Sequence, residues 1–491
     1  MSEELFVRGI VSLILTFAIS LLVEYRYGEE LEEKESKGQK YRSYIPSGLL
    51  IGLILGRTVF VFISSGAVAA KQNLISICFD LFLHISVYYS VLLLLISRFR
   101  KRISARVCAV LWMIPNYLYY MFLSATQLQK PIRVVKIPGN YVEFVFDIWL
   151  LGFAGVLCYG IVSHLRFRSE LLKDAKPVED EQILELWKEQ LKWANMRYTE
   201  YPLVISSKVK TPLSVGMFPS TIHVVLPERR YSLEELKLIF RHEIVHIGRA
   251  DAGNKFSILF FTAMCWYNPL MWIAMRKNAD DLELSCDETV LLESDMQLRR
   301  QYANLILDAA GDERGFTTCL SASAKSLKYR LQNIIKPNVR NSGVFTLAIT
   351  LFLLCMSCGH VALAYGEYTG ENIVYRGKNT ELYEISQMYL VEEETSGSTF
   401  MECVDTEAFH EYMENLKIQD MTGNYSFDDS EKTLSLTFES AEGMKMIQLK
   451  TYVIRIISFD ENDRVWRSFY LPEGLDWEYL ETILFPVSDF N

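Results

Sequence analysis

Apolar residues in this chain gather in long runs separated by charged loops. A helix needs about 20 apolar residues to cross the hydrocarbon layer of a bilayer. Six runs read as such spans: residues 6–23, 49–63, 74–96, 107–123, 142–162 and 343–364. The first begins with Glu3 and Glu4 and lacks a small-residue cleavage site, so it reads as a retained span rather than a signal peptide. The second is interrupted by Arg57. Basic residues collect in alternate loops: Arg26, Lys34, Lys37, Lys40 and Arg42; then Arg98, Arg100, Lys101, Arg102 and Arg106; then Arg166, Arg168, Lys173 and Lys176. By the positive-inside rule these loops are cytoplasmic. The N-terminus and everything after Ala364 are then outside, and residues 165–341 are inside. Lys130, Arg133 and Lys136, in a loop assigned outside, break the rule mildly. Arg57, Asp80, His84 and Asp147 fall within spans, where ionisable groups are costly and usually paired. Arg57 and Asp80 lie at similar depth and suit one another.

The cytoplasmic region changes period. Leu233, Leu236, Ile239 and Phe240 recur at helical spacing after a capping box, Ser232 with Glu235. That helix carries Arg241-His242-Glu243-Ile244-Val245-His246, an H-E-x-x-H. Positions i and i+4 share a helix face, so His242 and His246 can offer imidazole nitrogens to one Zn²⁺. Glu243 stands where a general base is needed. The chain has 7 histidines, so this spacing is poorly explained as two solvated residues on a surface helix. A third ligand must come from elsewhere. Glu283 is the best candidate, and Asp287, four residues on, is placed to orient a ligating histidine.

Between these ligands lies another apolar run, residues 256–275. If His246 and Glu283 hold one metal, both are on one side of the bilayer and the run cannot be a single crossing. It reads as a re-entrant or interfacial hairpin, or a buried helix pair, broken at Asn268-Pro269. The rival reading is a true span with another third ligand.

Net charge splits the chain. Residues 366–491 hold 26 acidic and 9 basic residues, a net −17 within a whole of −10. So acidic a tail argues against direct nucleic-acid binding by it. Of the 9 cysteines only Cys403 lies there, so the tail has no intrachain disulfide. Alternating runs at 433–438 and 446–457 read as strands, and 408–416 and 477–484 as short helices. The expected organisation is a five-span membrane domain (1–164), an α+β peptidase domain (165–341), a sixth span (342–365) and a small extracytoplasmic α+β domain (366–491).

These residues resemble the BlaR/MecR-type membrane metallopeptidases, the antirepressor sensor-transducers of bacteria, over roughly residues 178–335. Thr211-Pro212-Leu213-Ser214-Val215-Gly216 and Ile222-His223-Val224-Val225-Leu226-Pro227 are similar to the strand pair ahead of the family's zinc helix. His242 to Asp251 is similar to that helix, Trp266-Tyr267-Asn268-Pro269 to an aromatic-Asn-Pro motif, and Glu283 with Cys286-Asp287 to the third-ligand helix. The resemblance implies a gluzincin-like zinc peptidase in a bacterial cell membrane. It also implies a cytoplasmic winged-helix repressor as partner, an unknown extracytoplasmic ligand, and self-cleavage in the loop around Ser321, Ala322, Ser323 and Ala324. A homodimer is left open. The tail departs from family members that sense β-lactams: residues 366–491 contain no S-x-x-K and no K-T-G.

The expected chemistry is peptide hydrolysis. His242, His246 and Glu283 hold zinc, Glu243 takes a proton from water and returns it to the leaving amine, and substrate adds as a strand along the Pro212–Gly216 edge. His223 is a candidate oxyanion donor. Two other readings are a constitutive processing or quality-control peptidase of the membrane, and a receptor that keeps zinc for structure. The second has no use for Glu243.

Overall fold

A computed structural model describes residues 3–31, 41, 47–100, 102–114, 133–137, 139, 141–292, 294–310, 324–336, 344–357, 361–370, 384–391, 398–403, 405–421, 432–440, 443–460 and 463–486. The apolar runs form helices Glu3–Leu31, Ser47–Phe99, Ala105–Met113, Tyr141–Lys173 and Val344–Ser357. Among the described residues, Ala70–Phe99 and Tyr141–Lys173 are long and apolar enough to cross a membrane; Gly9–Tyr25 and Ile51–Ser64 are shorter apolar helices. The expected spans 49–63 and 74–96 lie in one helix, interrupted at Gly66 by a non-helical φ of 83°, which glycine adopts at little cost. Of run 107–123, the part beyond Ile114 lies outside the described residues. Run 343–364 is shorter as a helix than expected. It ends at Ser357, and strand Val361–Thr369 begins soon after. Hydropathy cannot separate a buried strand from a continuing helix; the strand partners decide.

Those partners are Arg133–Ile137, parallel, and Lys417–Met421, antiparallel. Both belong to a ten-stranded sheet that continues through Asp463–Tyr470, Val453–Asp460, Gly443–Lys450, Thr433–Ser440, Glu384–Val391, Ser398–Cys403 and Leu484–Pro486. Helices Thr406–Asn415 and Trp477–Ile483 accompany it, with Phe409, Met413 and Leu480 fully buried against the strand residues Leu434, Leu436, Ile447, Leu449 and Ile454. The run 446–457, read from sequence as one strand, is a hairpin: Lys450 pairs with Val453 across a turn at Thr451 and Tyr452. No Gly, Asn or Asp marks that turn, so its sequence carries no hairpin signal. The basic loop that broke the charge rule enters this sheet. Lys136 donates to the Pro472 carbonyl at 2.9 Å and lies 5.2 Å from the Tyr470 ring. Asp420, in the sheet, accepts from Gln72 at 2.7 Å and from Tyr368 at 3.0 Å. Asp147 faces Lys71 at 3.8 Å, which also pairs with Glu143 at 3.2 Å. Arg57 is half-buried, while the side chain of its expected partner Asp80 lies outside the described residues.

The cytoplasm-assigned region has its own sheet, ordered Lys176–Pro177, Leu203–Ser206, His223–Pro227, Leu213–Val215. Among the described residues, its last strand is unpaired along one edge. Val224 and Leu226 pack with Trp187, Leu191, Phe240, Ile244 and Val245 in a core that also takes Tyr41 from the first loop. The run 256–275 is two helices, Asp251–Met264 and Pro269–Val290, divided where Asn268 caps the second by accepting from Leu270 N at 3.0 Å. Its apolar end packs among the long apolar helices. Trp149 Nε1 donates to the Met264 carbonyl at 2.8 Å, Trp266 Nε1 to the Trp149 carbonyl at 3.2 Å, and Asn268 to Ser86 Oγ at 3.0 Å.

That seat depends on a glycine. A Cβ on Gly152 would fall 2.2 Å from the Trp266 ring, while Gly155, almost one turn along, has nothing within 4 Å. Gly152→Ala is therefore expected to cost about 1–3 kcal/mol through overpacking, and Gly155→Ala close to nothing. Thermal unfolding of the two variants in detergent checks this; equal midpoints would mean the hairpin is not seated there.

Candidate metal centre

The helix Leu233–Gly248 begins with both halves of the capping box. Ser232 N donates to Glu235 Oε2 at 2.8 Å, and Glu235 N to Ser232 Oγ at 3.3 Å. Phe240, Ile244 and Val245 turn inward and are fully buried. That fixes the helix rotation and brings His242, Glu243 and His246 to the wall of a cavity of about 1130 Å³, together with Glu283 from the helix Pro269–Val290.

The two imidazoles point at one another, with their Nε2 atoms 3.1 Å apart. Glu283 closes a triangle, its carboxylate oxygens 3.7 Å from each Nε2. Donors about 2.0–2.1 Å from a tetrahedral metal lie about 3.3 Å from each other, so these three atoms surround a point that such an ion fits. The other ring nitrogens settle the tautomers. His246 Nδ1 is 2.7 Å from Asp251 Oδ2, which can only accept. Tyr302 donates to Asp287 Oδ1 at 2.8 Å, leaving its oxygen, 2.8 Å from His242 Nδ1, to accept. Both Nδ1 atoms then carry protons and both Nε2 lone pairs face the same point. Two facing lone pairs repel unless a cation lies between them. Electrostatics agree. Burial works against charge on the imidazoles, but Cys286 and Glu283 outweigh it; without a cation His242 is pushed up to about 10 and His246 well above its ordinary range. Burial likewise opposes ionisation of Glu283, and the two histidines overcome it, holding its carboxyl well below the usual range. The site attracts positive charge.

Cys286 is a further donor. With His242 and His246 it forms a cluster whose ligand atoms lie within 4.8 Å of one another. Its Sγ approaches the Nδ1 side of His242, at 3.2 Å, and the His242 carbonyl at 3.4 Å.

Asp287 lies 3.7 Å from His242 Nδ1 and acts on it through Tyr302. Arg330 grips Asp287 with Nε at 2.8 Å and Nη2 at 2.9 Å, and its Nη1 is 3.5 Å from Glu283. Tyr302 and Arg330 lie far along the chain in no motif, and only the fold brings them here. Asp251 stands inside the quoted motif, but nothing in the sequence assigned it to His246. Pro212 and Gly216 line the same cavity, flanking the edge strand Leu213–Val215. His223 does not. Its Nδ1 is 3.1 Å from the Thr221 carbonyl. Ser321, Ala322 and Ser323 lie outside the described residues, and Ala324 opens the helix Ala324–Ile335.

Residues 119–334 match the family described as BlaR1 peptidase M56. Over those residues the chain is similar to the BlaR/MecR-type peptidases. The chain is also 26% identical over 190 residues to the regulatory protein BlaR1 of Bacillus licheniformis, a match covering 38% of this chain and 30% of that protein. The M56 peptidases are metallopeptidases, in keeping with a donor cluster at this helix.

The edge strand Leu213–Val215 is followed by Gly216, with φ of 132° and room for no Cβ: one would lie 2.4 Å from the Thr221 carbonyl oxygen. Gly216→Ala is expected to cost more than about 1 kcal/mol, through positive φ and backbone collision together. Hydrogen exchange should show faster opening of Leu213–Val215, and wild-type protection there would contradict this.

Proposed function

We propose that this protein is a membrane zinc metalloendopeptidase of the gluzincin type. In this reading it is a signal transducer that cleaves itself, a cytoplasmic repressor, or both, in response to an extracytoplasmic cue. The observation that carries the peptidase reading is the convergence of His242 Nε2, His246 Nε2 and the Glu283 carboxylate beside a free sheet edge. His242, His246 and Glu283 hold the metal. Cys286, clustered with the same two histidines, is a further donor beside them. Zinc, when bound, supplies a Lewis acid that polarises a carbonyl and makes water more acidic. Glu243 takes the proton from the attacking water and passes it to the leaving amine. The edge strand Leu213–Val215 holds the substrate chain as an added strand through backbone hydrogen bonds. Asp251 and Tyr302 keep a proton on each Nδ1, so that both Nε2 atoms stay free to ligate.

The transducer reading draws on the name of the relative and on the ten-stranded sheet after the last apolar helix. A peptidase that only processed membrane proteins would have no use for such a module. Contacts support the sidedness: loops assigned inside touch the peptidase, as Arg100 does by pairing with Asp281, and loops assigned outside touch the large sheet.

Glu243→Gln is expected to lower cleavage of the protein itself and of cellular substrates by about 10²–10⁴-fold while retaining bound metal. His242→Ala with His246→Ala should lose the metal. Intact-mass analysis, proteomics and elemental analysis read these outcomes; undiminished cleavage by the Glu243 variant would end the peptidase reading. For topology, a membrane-impermeant thiol reagent applied to intact cells should label Glu478→Cys and spare Ala252→Cys and Lys277→Cys until the cells are opened. Opposite-side labelling of the last two would mean that residues 256–275 cross the bilayer.

A further inference from the structure

Two of the metal-facing groups are tied, directly or through a relay, to one side chain that comes from the far end of the peptidase region. Arg330 sits on the helix Ala324–Ile335. Its guanidinium makes two hydrogen bonds to Asp287, at 2.8 and 2.9 Å, and stands 3.5 Å from Glu283 Oε2. Asp287 in turn accepts from Tyr302, whose oxygen is 2.8 Å from His242 Nδ1. One cation therefore steers Glu283 directly and His242 through a two-step relay.

We infer that Arg330 is a positioning residue for the metal centre, a latch by which the helix Ala324–Ile335 holds Glu283 and His242 in their ligating geometry. The inference rests on the metallopeptidase reading. Its physical basis is charge. Asp287 is 1% exposed, and a buried carboxylate without a cation and donors is costly. A planar fork meets both carboxylate oxygens at once, which a single ammonium cannot do. With Asp287 neutralised by Arg330, the negative charge of Glu283 is left for the metal. With Arg330 withdrawn, two carboxylates one helical turn apart repel, Tyr302 loses its fixed acceptor, and His242 loses its fixed tautomer. Elsewhere the helix is seated by buried Ile334, by Ser326 donating to Asp280 at 2.8 Å, by Arg299 reaching the Ile334 carbonyl at 3.3 Å and by the Arg100 guanidinium 5.2 Å from the Tyr329 ring. Eight residues after Lys336 the chain enters the helix Val344–Ser357, and from there the large sheet. A shift of that helix thus has a short path to the latch, and through it to the metal ligands.

The test uses the full chain in detergent, stripped of metal. Zn²⁺ affinity is measured by competition with a chromophoric chelator, and the visible spectrum is recorded with Co²⁺ in place of zinc. Arg330→Met is expected to weaken Zn²⁺ binding by about 10–100-fold and to change the Co²⁺ spectrum. Arg330→Lys should fall between it and wild type, and Tyr302→Phe should weaken binding through His242 alone. Lys417→Met is the control: Lys417, in the large sheet, makes an exposed pair with Glu473 at 2.6 Å, and its loss should leave affinity and spectrum at wild type. A change in folding stability alone would move the unfolding midpoint but not the Co²⁺ spectrum of the folded protein. Wild-type affinity and spectrum in Arg330→Met overturn the latch. If that variant does not fold, wild-type values in Arg330→Lys overturn it. Wild-type protein that binds neither Zn²⁺ nor Co²⁺ overturns the metallopeptidase reading, and the latch with it.

Discussion

Two imidazole nitrogens with their lone pairs aimed at one point, 3.1 Å apart, are the constraint around which the peptidase region is arranged. Left alone, the rings would rotate away or take up protons. They are held by acceptors behind them, Asp251 for His246 and the Tyr302–Asp287 pair for His242. Those acceptors are themselves buried, so each needs its own compensation. Arg330 supplies it for Asp287. For Asp251 the compensation is His246 with the fields of Arg249 and Lys255, which together hold its carboxyl below the usual range against the opposing effect of burial. Arg249 also reaches Ser285 at 3.1 Å and Thr289 at 2.7 Å, tying the end of the H-E-x-x-H helix to the helix that carries Glu283.

Bringing Glu283 back to His246 requires the intervening chain to leave and return. The helices Asp251–Met264 and Pro269–Val290 do this, and their apolar tip at Cys265 and Trp266 is packed among Tyr88, Tyr89, Phe146 and Trp149. The returning helix is then fixed along its length. Asn278 donates to the Ala109 carbonyl at 2.9 Å, and fully buried Asp281 accepts from Trp112 Nε1 at 2.8 Å while pairing with Arg100. A carboxylate so buried is stable only with both partners present. The position of a metal-facing residue thus depends on a basic loop nearly two hundred positions earlier.

The sequence made the local parts of the site readable and hid the distant ones. Ser232 and Glu235 announce where the helix begins, and the spacing of His242 and His246 announces which face is used, because both are properties of one helix. Glu283 is readable by its place after the motif. Tyr302 and Arg330 are not, since a tyrosine and an arginine on amphipathic helices carry no local sign of what they touch. The same division holds for the fold. Long apolar runs and the break at Asn268 are local. The start of the strand Val361–Thr369 is hidden in the end of an apolar run because its partners at Arg133–Ile137 and Lys417–Met421 are remote. The turn at Thr451 and Tyr452 was hidden because it uses none of the residues that mark tight turns.

The sorting of contacts bears on the membrane. Tyr41, Arg100, Asn278's partner Ala109 and Arg168 all meet the peptidase region. Gln72, Lys136 and the strand Val361–Thr369 all meet, or belong to, the large sheet. In chain order these fixed points alternate: Tyr41 with the peptidase, Gln72 with the sheet, Arg100 and Ala109 with the peptidase, Arg133–Ile137 with the sheet, Arg168 to Arg330 with the peptidase, then the sheet again. An apolar run lies between each consecutive pair. This order accords with the proposed topology, in which a bilayer separates the peptidase region from the large sheet and residues 256–275 begin and end on the peptidase side; among the described residues, Ala70–Phe99 and Tyr141–Lys173 are long and apolar enough to cross it. On the proposed topology Arg133 and Lys136 cease to be an exception. Arg133 and Lys136 lie in a sheet built mostly from a tail of net charge −17, and that local attraction offsets the preference for the cytoplasm that loop charge otherwise expresses.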